Sequence, residues 1–269
     1  MNLWPVAAVT FKEGIRNRAI YGISLFALLF LVASQLVSGM IMQDVGKVVV
    51  DMALSTVSFS GLLLVLFVGI NLMAKDLDRR TIYMVLSRPI SRSQYLFGKF
   101  LGMALLIITT VALVGFFAVA AIVLTKLRFP NFFGQFTWWL VFLSIAYTTL
   151  SLILLTALSF LFASLVSTSF ITLVLTICSY LIGHAISDVK ALVETPQAVG
   201  IQVAPLTVKL VQGAYYFFPN LSLFDIKTQA AHGLAVPLAS ICWTVVYGLG
   251  YTAIVMILAS LIFSKREFP

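Results

Sequence analysis

The chain has 269 residues, of which 61% are hydrophobic and only 10% charged, and its mean hydropathy is +1.09. An ordinary soluble domain carries about 25% charged residues, so this composition excludes a water-soluble protein and makes lipid the solvent for most side chains. The net charge of +8 fits basic loops held on one side of a membrane, and no nucleic-acid partner is expected.

A lipid-embedded backbone must satisfy its own polar groups, and the apolar segments lack the alternation of barrel strands, so the fold class is all-α membrane protein. The elements follow in chain order. Trp4, Ala8, Phe11 and Ile15 fall on one helical stripe, with Lys12, Glu13 and Arg16 off it, which predicts a helix lying in the cytoplasmic interface. Residues 19–43 carry no charge, and the first span is placed at 19–40. It has no small-x-small cleavage site and is taken as a retained helix, not a signal peptide. Further charge-free windows place spans at 53–74 and 100–125. The window 129–187 is too long for one helix. Its start, Pro130-Asn131-Phe132-Phe133, is loop, and Ser164, Ser167, Thr168 and Ser169 mark a turn, giving spans at 138–163 and 169–187. Residues 188–237 are too polar and proline-rich to cross. Val203, Leu206, Leu210 and Ala214 at helical spacing predict one or two short helices capping the outer end, before a sixth span at 238–263. The whole of 1–269 is expected to form a single transmembrane domain.

Alternation of sides puts Lys12, Arg16, Arg18, Lys75, Arg79, Arg80, Arg88, Arg92, Lys99, Lys265 and Arg266 together. The other side holds only Lys47, Lys126, Arg128, Lys190, Lys209 and Lys227. By the positive-inside rule the first side is cytoplasmic, both termini are inside, and the expected location is the inner (cytoplasmic) membrane.

Between spans two and three lies the most informative loop. Asp76 and Asp78 precede Thr81, then Ile82, Val85 and Leu86 share one face, and Pro89 stops the helix. This pattern predicts a short amphipathic helix that docks into a groove on a soluble partner, although composition alone fits an ordinary basic loop equally well. The order Asp76, Thr81, Leu86-Ser87-Arg88-Pro89, Ile90, Ser91-Arg92 and Gly98-Lys99 resembles the permeases of the ABC-2-type transporter family. Arg80 stands where that family often has Gly, and Asp76 where it often has Glu. The stretch Tyr215-Tyr216-Phe217-Phe218-Pro219-Asn220-Leu221 is similar to the segment before the last helix of the same family.

The resemblance implies the membrane subunit of an ABC exporter. Its coupling helix would meet the ATPase through Asp76, Asp78, Arg79, Arg80, Thr81, Val85, Leu86, Arg88, Pro89 and Arg92. It implies an ABC ATPase subunit and a second permease copy or related permease as partners, within membrane lipids. ATP and Mg would sit on the ATPase, with no cofactor or metal in this chain. Tyr215, Tyr216, Phe217, Phe218, Pro219 and Asn220 have two readings, a patch in the outer headgroup layer or an exit gate for an apolar or amphipathic substrate. The chain has no GxxxxGK[ST]; Gly98-Lys99 runs into Phe100, so the chain itself is not expected to be an enzyme. The rival readings are a stand-alone secondary carrier or channel, and a membrane scaffold without transport.

The remaining polar residues read as structural. His184 and His232 are isolated in sequence, and Thr109, Thr110, Thr148, Thr149 and Ser151 suit helix packing. Cys178 and Cys242 are expected to be buried, inert thiols. Gln35 and Asn71 are the intramembrane polar groups of most interest, Asn71 for packing at the cytoplasmic end. Gly98-x-x-x-Gly102 marks either a close helix approach or an interfacial kink.

Overall fold

The computed structural model describes residues 3–39, 44–72, 91–134, 136–166, 168–194 and 205–265. These form α1 (Trp4–Ile15), α2 (Arg18–Ser38), α3 (Val45–Leu64, carried on by a π turn at Val65–Gly69 as far as Leu72), α4 (Arg92–Arg128) and α5 (Trp138–Leu165). There follow α6 (Ser169–Glu194), α7 (Pro205–Phe217), α8 (Lys227–His232) and α9 (Leu238–Lys265). No strand occurs among the described residues, and six helices are long and apolar enough to span a membrane: α2, α3, α4, α5, α6 and α9.

The helices overrun several expected spans. Expected at 53–74, α3 starts at Val45, and Lys47 and Asp51 in its first turns line an open cleft. At 37 residues α4 is about 55 Å long, well beyond a hydrocarbon layer of about 30 Å, so its charged ends project from it. Local chemistry sets its start: Ser91 accepts from the Gln94 amide at 3.3 Å, while the Gln94 side chain accepts from the Ser91 amide at 3.2 Å. This reciprocal cap satisfies two orphan donors. At the start of α3, Asp44 adopts a left-handed conformation with φ 57°, a geometry Asp tolerates better than most residues, and pairs with Lys47 at 2.9 Å.

Three helices form the interior. The apolar windows of α3, α4 and α5 are 61%, 50% and 61% buried, against 22%, 28% and 33% for α2, α6 and α9, which are therefore peripheral. The outer surface carries Leu29, Phe116, Phe142, Leu181, Trp243 and Leu249, a density of exposed apolar side chains suited to lipid. Cys178 and Cys242 lie on this surface as exposed free thiols, not in the core as expected, because each falls on the outward face of a peripheral helix.

Two apolar cores share the interior. One joins α2, α3, α4 and part of α5, and the other gathers the start of α4, α5, residues 221–226 and α9 around Phe160 and Phe263. In the second, Tyr95 stacks on Phe263 at 6.3 Å and Phe100 meets Phe160 edge-on at 5.9 Å. The chain order places α1, Leu72, the start of α4 and the end of α9 at one end of the bundle, called here the terminal end; the opposite end is the far end.

Candidate functional site

Residues 73–90 lie outside the described residues, and with them Asp76, Asp78, Arg79, Arg80, Thr81, Val85, Leu86, Arg88 and Pro89. The structure does describe where that segment leaves and re-enters the bundle. Before it stands Leu72, and after it Ser91 caps α4. Arg92 Nη1 donates to the Ser264 carbonyl at 3.2 Å, tying the start of α4 to the last described turn of α9. Lys99 is 5% exposed; its ammonium donates to the Leu72 carbonyl and lies 5.4 Å from the Tyr95 ring centroid. A buried ammonium is stable only with such partners.

Gly98 and Gly102 serve α1. A Cβ on Gly102 would sit 2.6 Å from the Ala7 carbonyl oxygen, and one on Gly98 would sit 2.7 Å from the Val6 Cβ. The Gly-x-x-x-Gly pair is therefore a close approach, and its neighbour is α1, which buries Ala7, Thr10 and Gly14 against α4. Of the apolar stripe expected to lie in the interface, Trp4 and Ile15 are 70% and 43% exposed, while Phe11 packs against the core. Small residues, not large ones, set this contact, because they let the backbones touch. Thus, of one sequence motif, Ser91 caps its own helix while Arg92, Gly98 and Lys99 meet α9, α1 and α3 at the terminal end.

At the far end the expected short helices are present as α7 and α8, and the stretch between them turns down into the bundle as a re-entrant hairpin. Lys190 on α6 lies 3.8 Å from the Tyr215 ring centroid, yet a Cβ on Gly183 would sit 2.8 Å from the Pro219 carbonyl oxygen. The segment thus descends about two helical turns, roughly 10 Å, along α6 between Tyr215 and Pro219. Leu221 and Phe224 are then fully buried beside α5, α6 and α9. Leu210 is exposed, while Val203 lies outside the described residues. Irregular backbone at this depth needs protein partners. Two tyrosines of α9 supply them: the Asn220 amide donates to Tyr247 Oη at 2.9 Å, and Tyr251 Oη donates to the Phe217 carbonyl at 2.7 Å. Asn220 Oδ1 accepts from the Ser222 amide and hydroxyl at 3.2 and 2.7 Å. Among the residues considered as an outer gate, Phe217 is exposed and stacks edge-on with Phe218, whereas Pro219 and Asn220 are buried. Tyr215 is half-buried.

Sequence reasoning missed a polar cluster below this hairpin. His184 meets Tyr180 edge-on at 4.5 Å and shares a cavity with Asp225 and Lys227, themselves paired at 3.3 Å. Some forty positions separate His184 from Asp225 in the chain, so only the re-entrant turn brings them together. His232 instead bonds its own helix, with Nδ1 2.9 Å from the Thr228 carbonyl. Gln35 acts between helices: its amide donates to the Ala121 carbonyl at 3.2 Å and accepts from Thr125 Oγ1 at 2.9 Å. Asn71 does not pack between helices; it is exposed and donates to the Phe67 carbonyl one turn back. Among the described residues, no group of three or more His, Cys, Asp or Glu is placed to hold a metal ion.

No curated protein matches this sequence. Residues 4–268, nearly the whole chain, match the family described as ABC-2 family transporter protein. With six membrane-length helices, an α1 docked on α4 and a hairpin let into the far end, the chain belongs to the ABC-2 family of transporter proteins.

Proposed function

We propose that the chain is the transmembrane subunit of an ATP-driven exporter in the inner membrane, with both termini cytoplasmic, and that residues 75–92 couple it to a separate ABC ATPase. Membership of an ABC family implies that ATPase partner. ATP and Mg act on the partner, and a second permease copy completes a twelve-helix core. An apolar or amphipathic substrate moves outward past the far-end hairpin, whose residues 215–220 act as its gate.

The observation that supports coupling is the pair of ties flanking the loop. Lys99 links α4 to α3 just before it, and Arg92 links α4 to α9 just after it. A push on the loop therefore loads three membrane helices together, because packed helices move as rigid units.

Isolation of the native assembly from its own membranes tests this reading. A stoichiometric P-loop ATPase is expected, and Leu86→Asp or Arg79→Glu should release it while the six-helix body stays folded. An assembly without any ATP-hydrolysing subunit, or one in which the ATPase touches only other segments, overturns the proposal.

A further inference from the structure

The cavity holding His184 is partly open, and the Asp225 side chain on its wall is 35% exposed. Ser58 of α3, Thr148 and Ser151 of α5, and Tyr180 and His184 of α6 face the Asp225–Lys227 pair across about 30 Å³. Four elements from both apolar cores thus meet on polar groups where a dry seam would be apolar.

These groups are not saturated by one another. Ser58 Oγ and Thr148 Oγ1 stand 3.4 Å apart, long for a bond between hydroxyls. The Lys227 ammonium has three donors and the Asp225 carboxylate about four acceptor sites, more than their single contact and the 3.4 Å bond from the Lys227 amide employ. Leu152, Leu221 and Phe224 complete the lining, and a space of this size holds one or two waters bonded to the polar part of its wall.

The cavity has a neighbour at the far end. A second polar cleft of about 410 Å³ lies there, between Asp44, Lys47 and Asp51 of α3 and Thr228 and His232 of α8. Lys227 lines the inner cavity and the adjacent Thr228 lines the outer cleft. Asp51 and Ser58, two turns apart on one face of α3, join the two spaces on the opposite wall.

We infer that the inner cavity is a water-binding site within the chain, filled from the far end along α3 and α8. This does not depend on the exporter reading, since it concerns the chain with or without an ATPase.

Radiolytic hydroxyl-radical footprinting of the full-length wild-type chain in lipid nanodiscs tests it, because bound water generates the radical in place. Tyr180 and His184 should be oxidised about tenfold faster than Tyr95, which lies buried in the second core at the terminal end and does not line the cavity, and Tyr95 should react no faster than the core around it. Equal rates for Tyr95, Tyr180 and His184 overturn the inference. A second measurement compares Ser58→Cys with its neighbour Phe59→Cys, in a chain whose Cys178 and Cys242 are replaced by Ala. The small hydrophilic probe 2-aminoethyl methanethiosulfonate should modify the cavity-lining position and spare the lipid-facing one. Equal reaction at both positions counts against a hydrated cavity, and if either variant fails to fold the wild-type footprint decides alone.

Discussion

Lys99 of α4 reaches across to the carbonyl of Leu72 in α3, so the two helices flanking residues 73–90 are joined by a buried cation. A hydrogen bond to a charged group contributes about 1.5–3 kcal/mol, and its partner is left unsatisfied when the charge is removed. Lys99→Met should leave the ATPase attached, since the contacts proposed for it fall on residues 75–92 and not on Lys99, yet change ATP turnover of the isolated complex by about tenfold or more. Lys99→Arg should retain most of the wild-type rate. Steady-state ATP hydrolysis by the purified assembly measures both. Turnover unchanged by Lys99→Met would remove this tie from the coupling route.

The glycine seam under α1 gives a stability prediction with an internal control. Gly102→Leu forces backbone apart, because even its Cβ would lie 2.6 Å from the Ala7 carbonyl oxygen. Overpacking of this kind costs about 1–3 kcal/mol. Gly250→Leu on α9 meets open space, with nothing within 4 Å, and should be tolerated. Thermal unfolding of the two variants in detergent should separate them, and limited proteolysis should release residues 1–17 only from the first.

What was legible in the sequence, and what was not, follows from range. Charge-free windows located six membrane helices because burial in lipid acts on each segment alone. Ser91 and Gln94 form a cap that spacing alone encodes. By contrast, the partner of Gly98 and Gly102 lies more than ninety positions upstream, and only tertiary packing identifies α1 as that neighbour. For α1 the sequence pointed to an interfacial helix but not to its neighbour, which only packing reveals: Trp4 lies exposed, and the Ala7 backbone meets Gly102 of α4. Short helices before the last span were legible from helical spacing, whereas the descent between them was not, because it depends on Tyr247 and Tyr251 satisfying its backbone. The His184 cluster needed that descent to exist at all.

Gln35 should prove to be a clamp. It both donates to the Ala121 carbonyl and accepts from Thr125, joining α2 to α4 near the far end. Interhelical hydrogen bonds in membrane proteins average about 0.6 kcal/mol and reach about 1.7. Gln35→Leu should fall in this range and lower the thermal midpoint by a few degrees. Thr125→Val should cost less, since it leaves the amide bond to Ala121 intact. Together the two substitutions should cost less than their sum, because they share one contact.

The hairpin tyrosines should control its local opening. Tyr247→Phe and Tyr251→Phe each delete one hydroxyl, and each loss is worth about 1 kcal/mol, or roughly fivefold in an opening equilibrium. Hydrogen exchange over residues 217–225 should speed up by about that factor in either variant, with α3 and α5 unchanged. Exchange that rises equally throughout the bundle would mean that the tyrosines support the whole fold and not the hairpin.

The side of the membrane on which the terminal end lies decides whether residues 73–90 meet a cytoplasmic ATPase. In sequence the segments joined to that end carry Lys75, Arg79, Arg80 and Arg88 beside its own basic residues, and moving them across a bilayer is disfavoured, so it should face the cytoplasm. Asn131 sits exposed in the short turn between α4 and α5 at the far end, and Lys265 is the last described residue of α9 at the other. In intact cells carrying the cysteine-free chain, Asn131→Cys should react with an impermeant maleimide. Lys265→Cys should react only after the membrane is opened. The reverse pattern would put the loop on the wrong face for any cytoplasmic motor and would sink the exporter proposal. The Lys99 tie, the glycine seam and the hairpin would stand as they are.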